Sequence, residues 1–475
     1  MRHCMLALLV IFIATISLGA PSLANERQGH HCMTPFLPRP VEDVQAVRDR
    51  FGPHEFTPPP DPQLNDTWDW YIWDLSGYPT ATKMPCTVRG LGDHIYVVVE
   101  DSQWNVNIDQ ADVDRIVDHV DNISVGQFPN RGIWDLNTSN FGEPPNFDGL
   151  DRIFFLYYEF NISADGYFWI YDQYPDGSQP FASNEADVVY LATDSGAPAS
   201  DYMLAVGAHE FEHMIHFNTD QNENSWVDEG LGELAMWLFG HPDTISGFNT
   251  NPDNSLIDFG GSWGDYIQTY LWTLYIYEQF GGQPIIWEVT HHPMNGMSGY
   301  QQSLLNQGYS NTMEDIFGNW SAANFLDEPQ IYDGQYGYLG EELPSFISFR
   351  THMAFPASGA GSVQDWATDY VRLLNLNSGL PVISFDGNDI HEFRVKLLAI
   401  DSLKPTLVRE MTLDANSDGM VEFFQAQAYD QVEISIASVT TLGTGSYSYS
   451  VEVQSTSIPD LGGPKGGSDQ PKIAK

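Results

Sequence analysis

Residues 208–215 read Ala-His-Glu-Phe-Glu-His-Met-Ile, an H-E-x-x-H pattern. On an α-helix, residues four apart share a face, one turn above the other. His209 and His213 can therefore each aim a ring nitrogen at a single cation about 2.0–2.1 Å away. Glu210 stands one residue round from His209, placed to act on a metal-held water rather than on the metal itself. Catalytic zinc generally keeps three protein ligands and one open position. The third is sought in Trp226-Val227-Asp228-Glu229-Gly230-Leu231-Gly232-Glu233-Leu234. Glu229 and Glu233 are again four apart and share a helix face. One can bind the metal; the other can accept a hydrogen bond from a ligand histidine and fix its tautomer. Spacing alone does not separate the two roles. The chemistry these residues predict is metal-assisted hydrolysis, with Glu210 as general base.

Other residues carry weaker signals. His216 follows His213 by three residues and could join the metal, but is expected instead to act as a cation near the helix C-terminus. Asp414-Ala415-Asn416-Ser417-Asp418-Gly419 copies the first half of a calcium loop, so calcium is a second candidate cation. The twelfth position is Gln425 rather than glutamate, which favours a β-turn.

The elements that must position these groups follow from periodicity. Strands are predicted at 94–99, 153–158 and 187–192. Val113, Ile116, Val117 and Val120 give 109–122 an amphipathic helical stripe. The motif helix is predicted from about Asp201 to Phe217, with Ser200 or Asp201 as N-cap. Further helices fall at 229–239 and 265–280, the last stopped by Gly281-Gly282. Strand 187–192 is a candidate edge for pairing with an extended substrate. Beyond about 355, short strand-like runs alternate with turns, as in an antiparallel β-sandwich. The predicted fold class is thus α+β: a mixed sheet with active-site helices over 90–355, then a sandwich over 356–457.

The motifs resemble those of the hyicolysin-type secreted bacterial metallopeptidases. More broadly, Ala-His-Glu-Phe-Glu-His-Met-Ile-His-Phe with Trp-Val-Asp-Glu-Gly-Leu-Gly-Glu-Leu-Ala is similar to the thermolysin-like gluzincins. The resemblance covers about 90–350 and is most specific over 205–237. It implies a zincin-like catalytic domain, zinc as cofactor and endopeptidase activity. It implies Glu229 as third ligand, with Glu233 in the outer shell as the alternative ligand. The loop between His213 and Glu229 is shorter than in thermolysin. Such enzymes also need a donor for the oxyanion; Tyr266 is the first candidate, with Tyr270 and His292 as alternates.

Composition bounds the rest. The chain has 475 residues, 19 Lys+Arg against 64 Asp+Glu and a formal net charge of −45. Such a surface repels nucleic acid and anionic membranes. Arg2, the apolar run Met5–Leu18 and Ser22-Leu23-Ala24 read as an export signal over 1–24. The run is too short for a permanent anchor. The expected protein is therefore secreted, monomeric and free of the membrane after signal cleavage, with proteins or peptides as substrates. Residues 25–89 show no sustained period and read as a propeptide or extended arm; 458–475 read as a disordered tail. Cys32 and Cys86 form an even pair in an oxidising compartment, so a disulfide is expected. Capping of the metal by a cysteine is the alternative, but neither flanking sequence resembles a known thiol switch. A second class of function, a non-catalytic secreted binding or adhesion protein with a structural or vestigial metal, also fits the acidic, aromatic-rich composition.

Overall fold

The structure is a computed structural model that describes residues 32–51, 61–160 and 162–455. The expected signal segment, residues 25–31 of the expected arm and the expected tail lie outside the described residues. Among the described residues no helix is long and apolar enough to cross a membrane.

Three largely apolar runs form β3 (Ile95–Glu100), β4 (Ile153–Tyr158) and β6 (Val188–Ala192), which share a sheet with the hairpin β1 (Thr67–Asp74) and β2 (Thr80–Leu91) and the short β5 (Gly166–Phe168). Every residue of β3, β4 and β6 is buried. Apolar runs without alternation are what a parallel sheet covered on both faces requires. Indeed β3–β4 and β4–β6 pair in parallel. The sheet order is β1-β2-β3-β4-β6-β5. Ile95, Val97, Val99, Phe155 and Leu191 face a helical layer. Tyr96, Val98, Phe154, Leu156 and Tyr190 face an aromatic layer with Trp70, Trp73, Tyr167 and Trp169.

The hairpin corrects the expected boundary at residue 90. The arm's second half is part of the sheet, and β2 runs through that boundary to pair with β3. The candidate substrate edge is corrected too. Strand β6 is interior, because the chain at 166–168 turns back antiparallel along its outer side. The edge is β5.

The helices are α1 (Val44–Phe51), α2 (Gln110–Asp121), α3 (Ile133–Phe141), α4 (Asp201–Thr219), α5 (Ser225–Phe239), α6 (Trp263–Gln279), α7 (Gln283–His291), α8 (Gly296–Asn306) and α9 (Met313–Leu326). Ser200 caps α4 by accepting from the Met203 N–H at 3.3 Å, satisfying an orphan donor of the first turn. From Met203 to Phe217 every residue of α4 is buried. Gly240, at φ 106°, ends α5 in the left-handed region that glycine adopts without strain.

The last part of the chain holds β7 (Arg350–His352), β8 (Ala357–Val363), β9 (Thr368–Leu374), β10 (Leu380–Gly387), β11 (Phe393–Asp401), β12 (Lys404–Met411), β13 (Asp418–Glu422), β14 (Gln431–Ser438) and β15 (Gly445–Gln454). They form two sheets, β13-β10-β15-β8 and β12-β11-β14-β9-β7, around a shared apolar core. All pairings are antiparallel except β7–β9. This sandwich-like region begins a few residues before the expected start at 356. Its Trp366 and Tyr370 are buried in the same core as α9. The chain is thus mixed α and β with several sheets.

Candidate metal centre

Helix α4 carries His209 and His213, and α5 lies across it bearing Glu229 and Glu233. The helices approach closely because Gly232 has no side chain. A Cβ there would lie 2.8 Å from the His209 ring. The Nε2 of His209 is 3.3 Å from one Glu229 oxygen, and the Nε2 of His213 is 3.3 Å from the other. Donors about 2.0–2.1 Å from a tetrahedral zinc stand about 3.3 Å from one another. The three groups therefore fit a metal ion. Glu233 faces the other side of the His209 ring, 3.7 Å from Nδ1. Geometry thus separates the two glutamates: Glu229 lies among the converging Nε2 atoms, and Glu233 behind them.

Two residues stand beside these, one not singled out from the sequence and one considered there only as the lesser alternative to a disulfide. Asp228, in the first turn of α5, places one carboxylate oxygen 3.3 Å from His213 Nδ1 and 2.9 Å from His216 Nδ1. It stands behind His213 within hydrogen-bond distance, whereas Glu233 stands behind His209 at a longer 3.7 Å. The signal for Asp228 was its position directly before Glu229. Glu212, His216 and Asp228 form a second tight buried group behind the first. His216 does lie in the last turn of α4, but its ring pairs with Asp228. Burial lowers its pKa; Asp228 outweighs this and raises it to about 9.

The second is Cys32. Its Sγ lies 3.3 Å from His213 Nε2 and 3.5 Å from Glu210. Cys32, His209, His213 and Glu229 together form a buried group of ligand atoms, all within 4.8 Å of one another. The expected disulfide is absent: Cys32 and Cys86 are both free and buried. Cys86 belongs to the aromatic layer, whereas Cys32 packs against α4, so no bond spans them. Burial first, then the Glu210 and Glu229 charges, push the Cys32 thiol well up; a divalent cation among these groups reverses that balance.

Glu210 is fully buried and accepts from Thr34 Oγ1 at 3.1 Å. Burial lifts its carboxyl to about 8, the largest effect, and Glu229 adds to it against the pull of His213. Tyr266, on the first turn of α6, reaches the same place, and its hydroxyl donates to the Cys32 carbonyl at 3.2 Å. Burial, with Glu229, Cys32, Glu233 and Glu210 around it, keeps that phenol protonated. The alternates point elsewhere. Tyr270 donates to Glu341, and the His292 Nδ1 accepts from the Met294 N–H in the loop after α7. Asp414 turns inward on its own loop, accepting from the Asn416 and Asp418 N–H groups, which is a β-turn arrangement.

No family model matches the chain. No curated protein matches it either. Among solved structures it resembles the pre-peptidase C-terminal domain of a collagenase from Bacillus anthracis, with TM-score 0.19 and 12% identity over 23% of this chain and 100% of that one. It resembles the PliG periplasmic inhibitors of g-type lysozyme from Aeromonas hydrophila and Salmonella Typhimurium at TM-scores 0.17 and 0.16, with 13% and 8% identity. Each of these covers 22% of this chain, and 96% and 100% of the respective inhibitors. Likenesses this slight say nothing about the chemistry of the site.

Proposed function

We propose that the chain is a secreted zinc-dependent endopeptidase of the gluzincin type, with a zincin-like catalytic domain. The observation that carries the reading is the convergence of His209, His213 and Glu229, whose ligand atoms lie within 4.8 Å of one another, beside the buried Glu210 carboxyl. His209, His213 and Glu229 would hold the zinc. When bound, the metal supplies a Lewis acid that polarises a peptide carbonyl and acidifies water. Glu210 takes a proton at its carboxylate and returns it to the leaving amine. Tyr266 donates a hydrogen bond to the carbonyl oxygen, where negative charge develops. Glu233 and Asp228 hold the imidazoles in orientation through Nδ1.

The second reading is a non-catalytic binding protein with a structural metal. One observation favours it: with Cys32 the group has four ligands and is closed, as structural zinc sites are. The test is metal analysis together with casein hydrolysis, before and after limited proteolysis of the N-terminal segment. One zinc per chain is expected, with hydrolysis in at least one preparation that a chelator stops and zinc restores. Glu210→Gln is expected to keep the zinc and to lose about 10²–10⁴-fold in kcat. Stoichiometric zinc without hydrolysis in either preparation overturns the peptidase reading.

A further inference from the structure

A peptidase must admit a polypeptide, yet His209, Glu210 and Glu229 are 0% exposed and His213 1%. Residues 32–39 close the site. Cys32 forms a parallel bridge with Gly166 on the edge strand β5, and the Met33 N–H donates to the Gly166 carbonyl at 3.2 Å. An extended segment added to a sheet edge is how many proteins bind peptides. The Cys32 carbonyl takes the Tyr266 hydroxyl, the donor the reaction needs. Thr34 Oγ1 donates to Glu210 and accepts from the Phe168 N–H at 2.9 Å. The segment is anchored beyond the site. Arg39 reaches Asp228 Oδ2 and the Glu223 carbonyl, each at 3.4 Å. Val44 and Val47 of α1 are buried in the main core.

We propose that the Cys32 thiolate is a fourth ligand to the metal and that residues 32–39 occupy the substrate groove as a tethered inhibitor, so that the folded chain is latent. This rests on the peptidase reading above. Four independent contacts put the segment where a substrate must lie: thiol among the ligands, carbonyl on Tyr266, hydroxyl on Glu210 and backbone on β5. The ligation balances simply. The S–H bond breaks, the sulfur keeps the electron pair and donates it to the cation, and the proton leaves to solvent. Two imidazoles, a carboxylate and a thiolate complete a four-coordinate zinc. No position remains for the water that hydrolysis consumes, so the thiol must withdraw before the enzyme can turn over.

The test loads the purified protein with one equivalent of Co²⁺ and reads the near-ultraviolet thiolate-to-cobalt absorption, which needs no activity. The band is expected in the wild type and in Cys86→Ala. It is expected to vanish in Cys32→Ala, which still binds one cobalt. The zinc form of Cys32→Ala should cleave a peptide at least tenfold faster than the wild type. One bound cobalt in the wild type without the band overturns the ligand assignment and depends on no variant. A wild type already as fast as Cys32→Ala overturns latency and leaves the peptidase reading standing. A thiolate band with no hydrolysis in any folded form overturns both and marks the metal as structural. If Cys32→Ala does not fold, Phe36→Ala carries the activity arm. That ring is half exposed and lies against Gly261 at the rim, so its loss loosens the segment without touching the ligands.

Discussion

Burial makes Tyr266 a permanent donor, and its hydroxyl already holds a peptide carbonyl oxygen, that of Cys32. In enzyme freed of its N-terminal segment, Tyr266→Phe is therefore expected to lower kcat by about 10²–10³, the usual cost of one oxyanion donor. KM should move only a few-fold, because the bond strengthens as charge develops on the oxygen. Steady-state kinetics on a peptide checks this, and an unchanged kcat assigns the donor elsewhere. At this scale the sequence was legible where contacts are local. His209, Glu210 and His213 sit within one helical turn, and Glu229 precedes Glu233 by another. For Cys32 the sequence offered a metal cap only as the lesser alternative, because its partners Glu210 and His213 lie 178 and 181 residues away. No periodicity records a contact of that span, and the two cysteines left beyond Cys4 of the expected signal segment pointed to a disulfide instead.

Helix α5 works by what it lacks on two faces. Gly230 lets α6 approach, since a Cβ there would meet Thr273 Oγ1 at 2.4 Å, and Gly232 does the same for the His209 ring on α4 at 2.8 Å. Gly232→Ala should leave helix content intact or slightly higher, alanine being the better helix former. The His209 ring must then move, and metal affinity should fall by about 10–100-fold, as when a ligand's support is removed. Competition against a chelating dye measures this; unaltered affinity would mean that the helices simply part. Helices and buried strands were readable from the sequence because one face or one continuous run carried the apolar residues. The hairpin β1–β2 was not. Trp68, Trp70, Tyr71, Ile72 and Trp73 put large side chains on both faces of β1, so no alternation marks it. The sandwich was readable as strands, but its docking was not. The ring of Trp366 stands 5.3 Å from that of Phe317 on α9, and its carbonyl accepts from the Leu256 N–H at 3.0 Å. Trp366→Ala should cost about 3–5 kcal/mol of the stability of the whole chain, read as a shift of one denaturation midpoint. A separate early transition of the sandwich alone would show that the two parts fold independently.

At the scale of the whole molecule, buried carboxyls decide how the fold answers pH. Burial is the largest influence on each: it lifts Asp172 to about 8, Glu433 to about 7 and Asp369 to about 6. Asp187 is pushed well up by burial and by the neighbouring Asp148. None of these belongs to the metal group. In the unfolded chain such carboxyls ionise near 4. Between about pH 4 and 8 the folded protein therefore holds protons that the unfolded chain has released. Stability falls as pH rises wherever the folded state binds more protons. Repulsion within a chain of formal net charge −45 acts in the same direction as carboxyls ionise. At fixed ionic strength and fixed metal content, Tm should be lower at pH 8 than at pH 5.5, by about 3 °C or more. Added salt should recover part of the difference at pH 8, since it screens surface repulsion but not the cost of a buried charge. Asp172→Asn separates the two contributions. It removes one buried titration and leaves the surface alone, so its Tm should depend less steeply on pH above about 6. A Tm that rises toward pH 8 in the wild type would mean that these carboxyls stay ionised in the fold, held by partners that outweigh their burial.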